Sequence, residues 1–279
     1  MEESKIVLGI VGSPNPEGRT NQLVMATLKG AAEAGATTEL IQLSEYVVAA
    51  CKDCLPWVCA DNLKCTYEDK AFEFLSQKIL NCGALVLGTP VYWWDTSGLV
   101  KYLILKMFRV YARTAPLQGL PAFGLAIAGG TGNGLISGLR PVYHFFHMLQ
   151  MRALEPVPAT RFNFNQALGR AVELGGQIAG MTKNRDPFKG LEERLVWYDN
   201  LPYIGLSLAG ERRLLADLVA LEAAEEMGTD VLSGLARSDA FSAAGRGADS
   251  LSEATQVYEA GVRAFERKQE AKIIESEST

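Results

Sequence analysis

Four of the chain's five cysteines crowd into one segment, Cys51-x2-Cys54-x4-Cys59-x5-Cys65, and only Cys82 stands apart. Thiolates are soft ligands, so four of them in one short stretch can hold a tetrahedral zinc ion or an iron-sulfur cluster. Spacing alone does not separate the two, and a set of reduced or redox-active thiols is a third reading. A disulfide scaffold does not fit, because such frameworks spread their cysteines through a small secreted chain. Cys82 precedes an apolar run and reads as a core thiol. His144 and His147 have a metal-compatible spacing on one helix, but no carboxylate accompanies them and both read as structural.

A second stretch with chemical content is Gly12-Ser13-Pro14-Asn15-Pro16-Glu17-Gly18-Arg19-Thr20-Asn21. It follows an apolar strand and opens a helix, where unpaired N–H groups and the helix dipole favour a phosphate. The hydroxyls of Ser13 and Thr20 and the amide of Asn21 can complete such a site. Neither G-x-G-x-x-G nor G-x-x-x-x-G-K-[ST] occurs there, which argues against dinucleotide and P-loop triphosphate binding. An ordinary polar connection is the alternative.

The elements that must position these residues alternate. Lys5 to Val11 and Thr38 to Leu43 read as strands, and the helix between them runs from Asn21 to Ala34 with Gly35 as its stop. Beyond the cysteines, a helix is expected over Tyr67 to Leu80 and a strand over Ala84 to Leu87. Then follow a helix over Ser97 to Ala112, a strand over Ala122 to Ala128 and a helix over Val142 to Met151. A fifth strand, Ala153 to Val157, and a helix from Gln166 to Met181 close the series. Strand–helix alternation predicts an α/β, doubly wound, five-stranded parallel sheet of order 2-1-3-4-5, with ligands at the carboxyl ends of the strands. Three loops converge there: Ser13 to Asn21, Thr89 to Asp95 and Gly129 to Gly134. The expected division is a domain over 1–181, with the cysteine insert at 51–65, and a C-terminal helical extension over 182–279. In the extension, Asp186-Pro187 reads as a helix start and Glu211 to Met227 as one helix. Ser233 to Asp249 reads as loop, and Ser250-x-x-Glu253 as a capping box opening the last helix.

The chain has 279 residues; 48% are hydrophobic and 21% charged, enough apolar material for a large core. A net charge of -5 argues against nucleic acid and against anionic membrane surfaces, which need a basic excess. No apolar run approaches the roughly 18 residues that span a bilayer, so no membrane insertion is expected. The first residues carry acids and no basic stretch before the apolar run, so a cytoplasmic location is expected.

GSPNPEGRTNQL, residues 12–23, resembles the GSPR-x-x-GNT-x-x-L signature of the NADPH-dependent FMN reductase and iron-sulfur flavoprotein families, which are flavodoxin-like. TPVYWWDTSGLVK, residues 89–101, resembles their TPVYF-x-x-x-SG-x-x-K segment. The resemblance covers about residues 5–181. It implies that Ser13, Arg19, Thr20 and Asn21 hold the FMN phosphate, with Asn15 in the same cofactor loop. Thr89, Pro90, Val91, Tyr92 and Trp93 then flank the flavin, and Gly129, Gly130 and Thr131 approach its ring; Trp94 reads as a core or interface aromatic. Asn15 and Arg19 stand where the family carries Arg and a small or amide residue, and Leu105-Lys106 replaces a usual Asp-Arg.

The cysteines resemble the C-x2-C-x2-C-x4–7-C motif that in iron-sulfur flavoproteins holds a four-iron, four-sulfur cluster. Here the middle gap is two residues longer, so Leu55-Pro56-Trp57-Val58 must loop out to supply Cys59. By the resemblance, Cys51, Cys54, Cys59 and Cys65 ligate a 4Fe-4S cluster, with zinc as the alternative. The implied function is an FMN-dependent redox protein passing electrons between flavin and cluster. The alternatives are an NAD(P)H-dependent FMN or quinone reductase without a cluster, and a non-catalytic subunit of a redox complex. Ferredoxin, NAD(P)H or a quinone could be donor or acceptor, and a homodimer or higher homo-oligomer is expected. No catalytic acid, base or nucleophile is assigned.

Overall fold

The computed structural model describes residues 6–54 and 58–277. They form two compact units. The first comprises Met1–Ile127, Gly134–Ala159 and Asn165–Ile204; the second comprises Ala128–Asn133, Thr160–Phe164 and Gly205–Thr279.

The first unit is built on β1 (Val7–Val11), whose five residues are all buried. In chain order follow α1 (Arg19–Glu33), β2 (Thr38–Gln42), α2 (Val58–Asn62), α3 (Lys70–Asn81), β3 (Ala84–Tyr92), β4 (Asp95–Thr96), α4 (Gly98–Tyr111), β5 (Pro121–Ala128), α5 (Leu135–Met148), β6 (Arg152–Ala153), β7 (Val157–Thr160), α6 (Phe164–Met181) and α7 (Leu191–Asp199). β1 pairs in parallel with β2 and β3, as Val7 stands level with both Thr38 and Ala84. β3 pairs in parallel with β5 and β5 with β6.

The sheet therefore has seven strands on the path β2-β1-β3-β5-β6, with β4 on β3 and β7 on β5, rather than the five expected. Two local causes account for the difference. β3 runs past Pro90 and folds back as a hairpin onto β4. The expected strand Ala153 to Val157 splits where Pro156 lacks the N–H that a sheet ladder needs, leaving β6 and β7 on either side of Leu154-Glu155-Pro156.

Glycines mark where helices lie on the sheet. A Cβ on Gly9 would meet Val24 and Leu28 of α1, whereas one on Gly12 would meet Val100 of α4. These two positions point to opposite faces of β1, so α1 and α4 cover opposite sides. α5 lies over β5, where Tyr143 accepts a hydrogen bond from the Gly124 N–H (3.1 Å) and donates to the Leu154 carbonyl (2.9 Å). Burial pushes its phenol well above the ordinary range. α6 touches α1 backbone to backbone: a Cβ on Gly175 would stand 2.0 Å from the Thr27 carbonyl oxygen, and one on Gly30 2.0 Å from that of Val172.

Residues 182–204 stay with the first unit. Trp197 donates to the Ala153 carbonyl and Tyr198 to that of Met151, both at 2.8 Å. The buried Arg152 guanidinium lies 3.9 Å from the Phe188 ring and pairs with Glu193. The helix expected at Asp186-Pro187 begins instead after Gly190, and the Asp186 N–H is bound to the Gly119 carbonyl.

The second unit is helical: α8 (Leu208–Leu218), α9 (Ala220–Met227), α10 (Asp230–Ala243) and α11 (Gly247–Glu277). The single helix expected over Glu211 to Met227 breaks at Val219, and Ser207 caps its start by accepting from the Gly210 N–H. The loop expected over Ser233 to Asp249 is largely α10, because Val231, Leu235 and Ser238 fall on one face and are buried. The expected capping box lies inside α11. Ser250 instead meets the Ser238 hydroxyl, and Glu253 pairs with Arg237. Among the described residues no helix is long and apolar enough to cross a membrane.

Candidate functional site

The loop after β1 is folded on itself. The Ser13 hydroxyl accepts from the Asn15 N–H (3.1 Å), and the Asn15 side-chain oxygen accepts from the Glu17 N–H (3.0 Å). Gly18 precedes α1 without a side-chain cap, so the first turn of α1 presents uncapped N–H groups. Thr20 is buried and Asn21 half-buried in that turn, while Asn15 and Arg19 are exposed. This is a helix N-terminus suited to an anion.

The loop after β3 is tied to the first one. The Gly12 N–H donates to the Gly88 carbonyl (2.7 Å), and the Ser97 hydroxyl donates to the Gly12 carbonyl (2.6 Å) while capping α4. The Thr89 hydroxyl bridges to that of Thr96 (2.6 Å) and accepts from the Ser97 N–H (3.0 Å). Thr89 and Pro90 are thus buried framework, Val91 is half-buried, and Tyr92 and Trp93 are exposed. Tyr92 pairs with Asp95 across a two-residue turn whose central residues, Trp93 and Trp94, have φ of 52° and 56°. Hairpin turns with both centres left-handed are normally made by Asn and Gly, so two tryptophans there hold backbone strain. Trp93 is 90% exposed; Trp94 is 54% exposed and rests on Gly134.

The loop after β5 belongs to the second unit. Gly129, Gly130 and Thr131 are exposed. Tyr258 donates to the Thr131 carbonyl (2.6 Å), and Arg212 donates to the Asn133 side chain (3.2 Å) while lying 4.1 Å over the Tyr258 ring.

Cys51, Cys54, Cys59 and Cys65 all line one cavity of about 260 Å³, which Lys106 and Arg109 of α4 also line. All five cysteines are free thiols. Cys59 is buried on α2 and donates to the Arg109 carbonyl (3.5 Å). Leu55, Pro56 and Trp57, expected to loop out before Cys59, lie outside the described residues. Lys106 is 4% exposed and pairs with Asp69. Burial pushes the Asp69 carboxyl up, but hydrogen bonds from Lys106, Phe72 and Ala49 outweigh it and hold the group below its ordinary value.

Among the described residues no three His, Cys, Asp or Glu side chains converge tightly enough to hold one metal ion. The donor set nevertheless fits a polyatomic group, since a four-iron cluster takes one thiolate at each iron and its ligands stand around it rather than at one point. Cys82 is a core thiol as expected, donating to the Ile79 carbonyl and pushed up to about 12 by burial. His144 is exposed, and the His147 ring lies 4.8 Å from that of Tyr198.

Sequence reasoning missed Asp69, Lys106 and Arg109. The signal for the two cations was their i, i+3 spacing on a mostly apolar helix, which faces both into the cavity.

The sequence profile of the NADPH-dependent FMN reductase family matches residues 6–164. An iron-sulfur flavoprotein of Methanocaldococcus jannaschii is 30% identical over 140 residues, spanning 50% of this chain and 70% of the relative. A second from the same organism is 26% identical over 164 residues, spanning 58% of this chain and 79% of the relative. A solved NAD(P)H:quinone oxidoreductase from Methanothermobacter marburgensis shares the fold with a TM-score of 0.50 at 18% identity, over 63% of this chain and 96% of that one. With the anion-ready first loop, the hairpin beyond β3 and this match across most of the first unit, the chain belongs to the NADPH-dependent FMN reductase family and is a flavin-dependent oxidoreductase.

Proposed function

We propose that the protein is an iron-sulfur flavoprotein, passing electrons between FMN and a cluster ligated by Cys51, Cys54, Cys59 and Cys65. The observation that carries this reading is the single cavity lined by all four thiols. Zinc, which four thiolates also suit, is the alternative occupant of the same residues. FMN supplies exchange of two electrons or one, and a cluster supplies single-electron exchange.

The chain's part is binding and tuning. Ser13, Thr20, Asn21 and the first N–H groups of α1 bind the phosphate, with Arg19 and Asn15 at its rim. Thr89, Thr96 and Ser97 hold the hairpin so that Tyr92 and Trp93 border the ring and limit water there. Lys106 and Arg109 place positive charge beside the thiolates, offsetting the cost of burying negative charge. NAD(P)H is the proposed electron donor.

A second reading, an NAD(P)H-dependent FMN or quinone reductase without a cluster, draws support from the family. Anaerobic reconstitution with FMN, ferrous iron and sulfide separates the two. Bound iron and acid-labile sulfide support the first; flavin reduction by NADPH with no iron taken up supports the second.

A further inference from the structure

The gap between Cys54 and Cys59 holds four residues, and both of its ends meet one residue of α4, Arg109. The Arg109 Nη2 group donates to the Cys54 carbonyl (3.1 Å), and its Nη1 group pairs with Asp53 (2.8 Å). The backbone carbonyl of the same residue accepts from the Cys59 thiol. Asp53 has a φ of 49°, the left-handed turn that carries the chain from Cys51 to Cys54, and its N–H donates to the Cys51 sulfur (3.4 Å). Arg109 therefore touches the turn between the first two cysteines, the second cysteine itself and the third. Its side chain is only 11% exposed, although the Asp53 it pairs with is largely in solvent. A cation buried to that degree needs compensation from the groups around it. Just beyond α4, Arg113 makes an exposed pair with Asp61 of α2 (2.6 Å).

We infer that Arg109 is the positioning residue of the thiol cavity, holding the Cys51–Cys54 turn against the α2 helix so that a lengthened middle gap still presents four thiols to one space. The inference rests on reading the four cysteines as one thiolate site. Arg is suited to the role where Lys is not, since its planar fork bonds a carbonyl and a carboxylate together.

The test compares full-length wild type with Arg109→Met, Arg109→Lys and the exposed control Arg113→Met. In metal-free protein, the alkylation rate of each cysteine by iodoacetamide is followed by mass spectrometry. Losing a hydrogen bond from a charged group corresponds to about tenfold or more in the population of the released turn. Cys54 should react faster by about that factor in Arg109→Met, by less in Arg109→Lys, and unchanged in Arg113→Met. Cys82 reports on the fold; if it becomes reactive in Arg109→Met, the comparison passes to Arg109→Lys. After anaerobic addition of ferrous iron and sulfide, Arg109→Met should bind less iron per chain while retaining FMN. Wild-type rates at Cys54 and wild-type iron content in both variants would overturn the inference. If wild type takes up no iron but Cys54 is still released in Arg109→Met, the positioning role stands and the cluster reading falls.

Discussion

Trp93 and Trp94 share one strained turn yet should respond in opposite directions to the same substitution. Left-handed backbone costs a bulky residue about 1–2 kcal/mol, and Asn relieves much of that. Trp93 is 90% exposed, so its replacement gives up little beyond its edge contact with Trp94, whose ring centroid is 5.9 Å away. Such a contact in water is worth about 0.5 kcal/mol. Trp93→Asn should thus stabilise the protein by roughly 0.5–1 kcal/mol. Trp94 is half-buried on Gly134, and burying roughly 100 Å² of indole is worth about 2.5 kcal/mol. Trp94→Asn should therefore lose about 1 kcal/mol net, despite the same relief of the turn. The assay is urea unfolding of the FMN-free protein at neutral pH, followed by circular dichroism. Trp93→Asn should unfold at higher urea than wild type and Trp94→Asn at lower, while NADPH-driven flavin reduction falls in Trp93→Asn. A destabilised Trp93→Asn would refute the reasoning, because it would mean that the turn holds no strain or that the exposed indole is packed.

Gly175→Ala should cost about 3 kcal/mol or more, since the added methyl meets the Thr27 carbonyl of α1 and the two helices must part; thermal melts check this, and a neutral result would deny the close crossing. Asp69→Asn leaves Lys106 buried without its counter-charge and should cost roughly 3–5 kcal/mol at pH 7 by denaturant unfolding. The Asp69 carboxyl is lowered in the folded state from 3.8, so its contribution is complete above that value and is lost as the pH falls through the folded value. The gap between wild type and Asp69→Asn should accordingly close at acid pH; a constant gap would contradict the pairing. Ser97→Ala removes both the α4 cap and the donor to the Gly12 carbonyl. It should cost about 1–2 kcal/mol and weaken FMN binding, measured by fluorescence quenching.

The sheet was legible because its strands are short apolar runs: Gly-Ser-Pro and Gly-Gly directly follow β1 and β5, whereas β3 runs two residues past its Gly-Thr-Pro. Strand division at 152–160 was less legible, since apolarity carries no mark of hydrogen bonding and Pro156 had to be weighed against it. Local patterns failed most in the second unit. Ser250-x-x-Glu253 has the spacing of a capping box, but Ser238 and Arg237 compete for its two polar groups. Ser233 to Ala243 is rich in residues that favour turns, and burial of Val231 and Leu235 overrides them. The thiol cavity was half legible. Cysteine spacing marks its ligands, whereas Lys106 and Arg109 reach it only through the packing of α4, with Asp69 paired to Lys106.

The central claim is that four cysteines form one thiolate site in a flavin-dependent oxidoreductase. Its most direct measurement is an absorption spectrum of anaerobically reconstituted protein, with iron, sulfide, zinc and FMN determined per chain. Flavin bands over a broad iron-sulfur shoulder, with iron and sulfide near a 4:4 ratio and both lost in Cys59→Ser, are the expected result. Flavin without iron, or a zinc-only product, would contradict it.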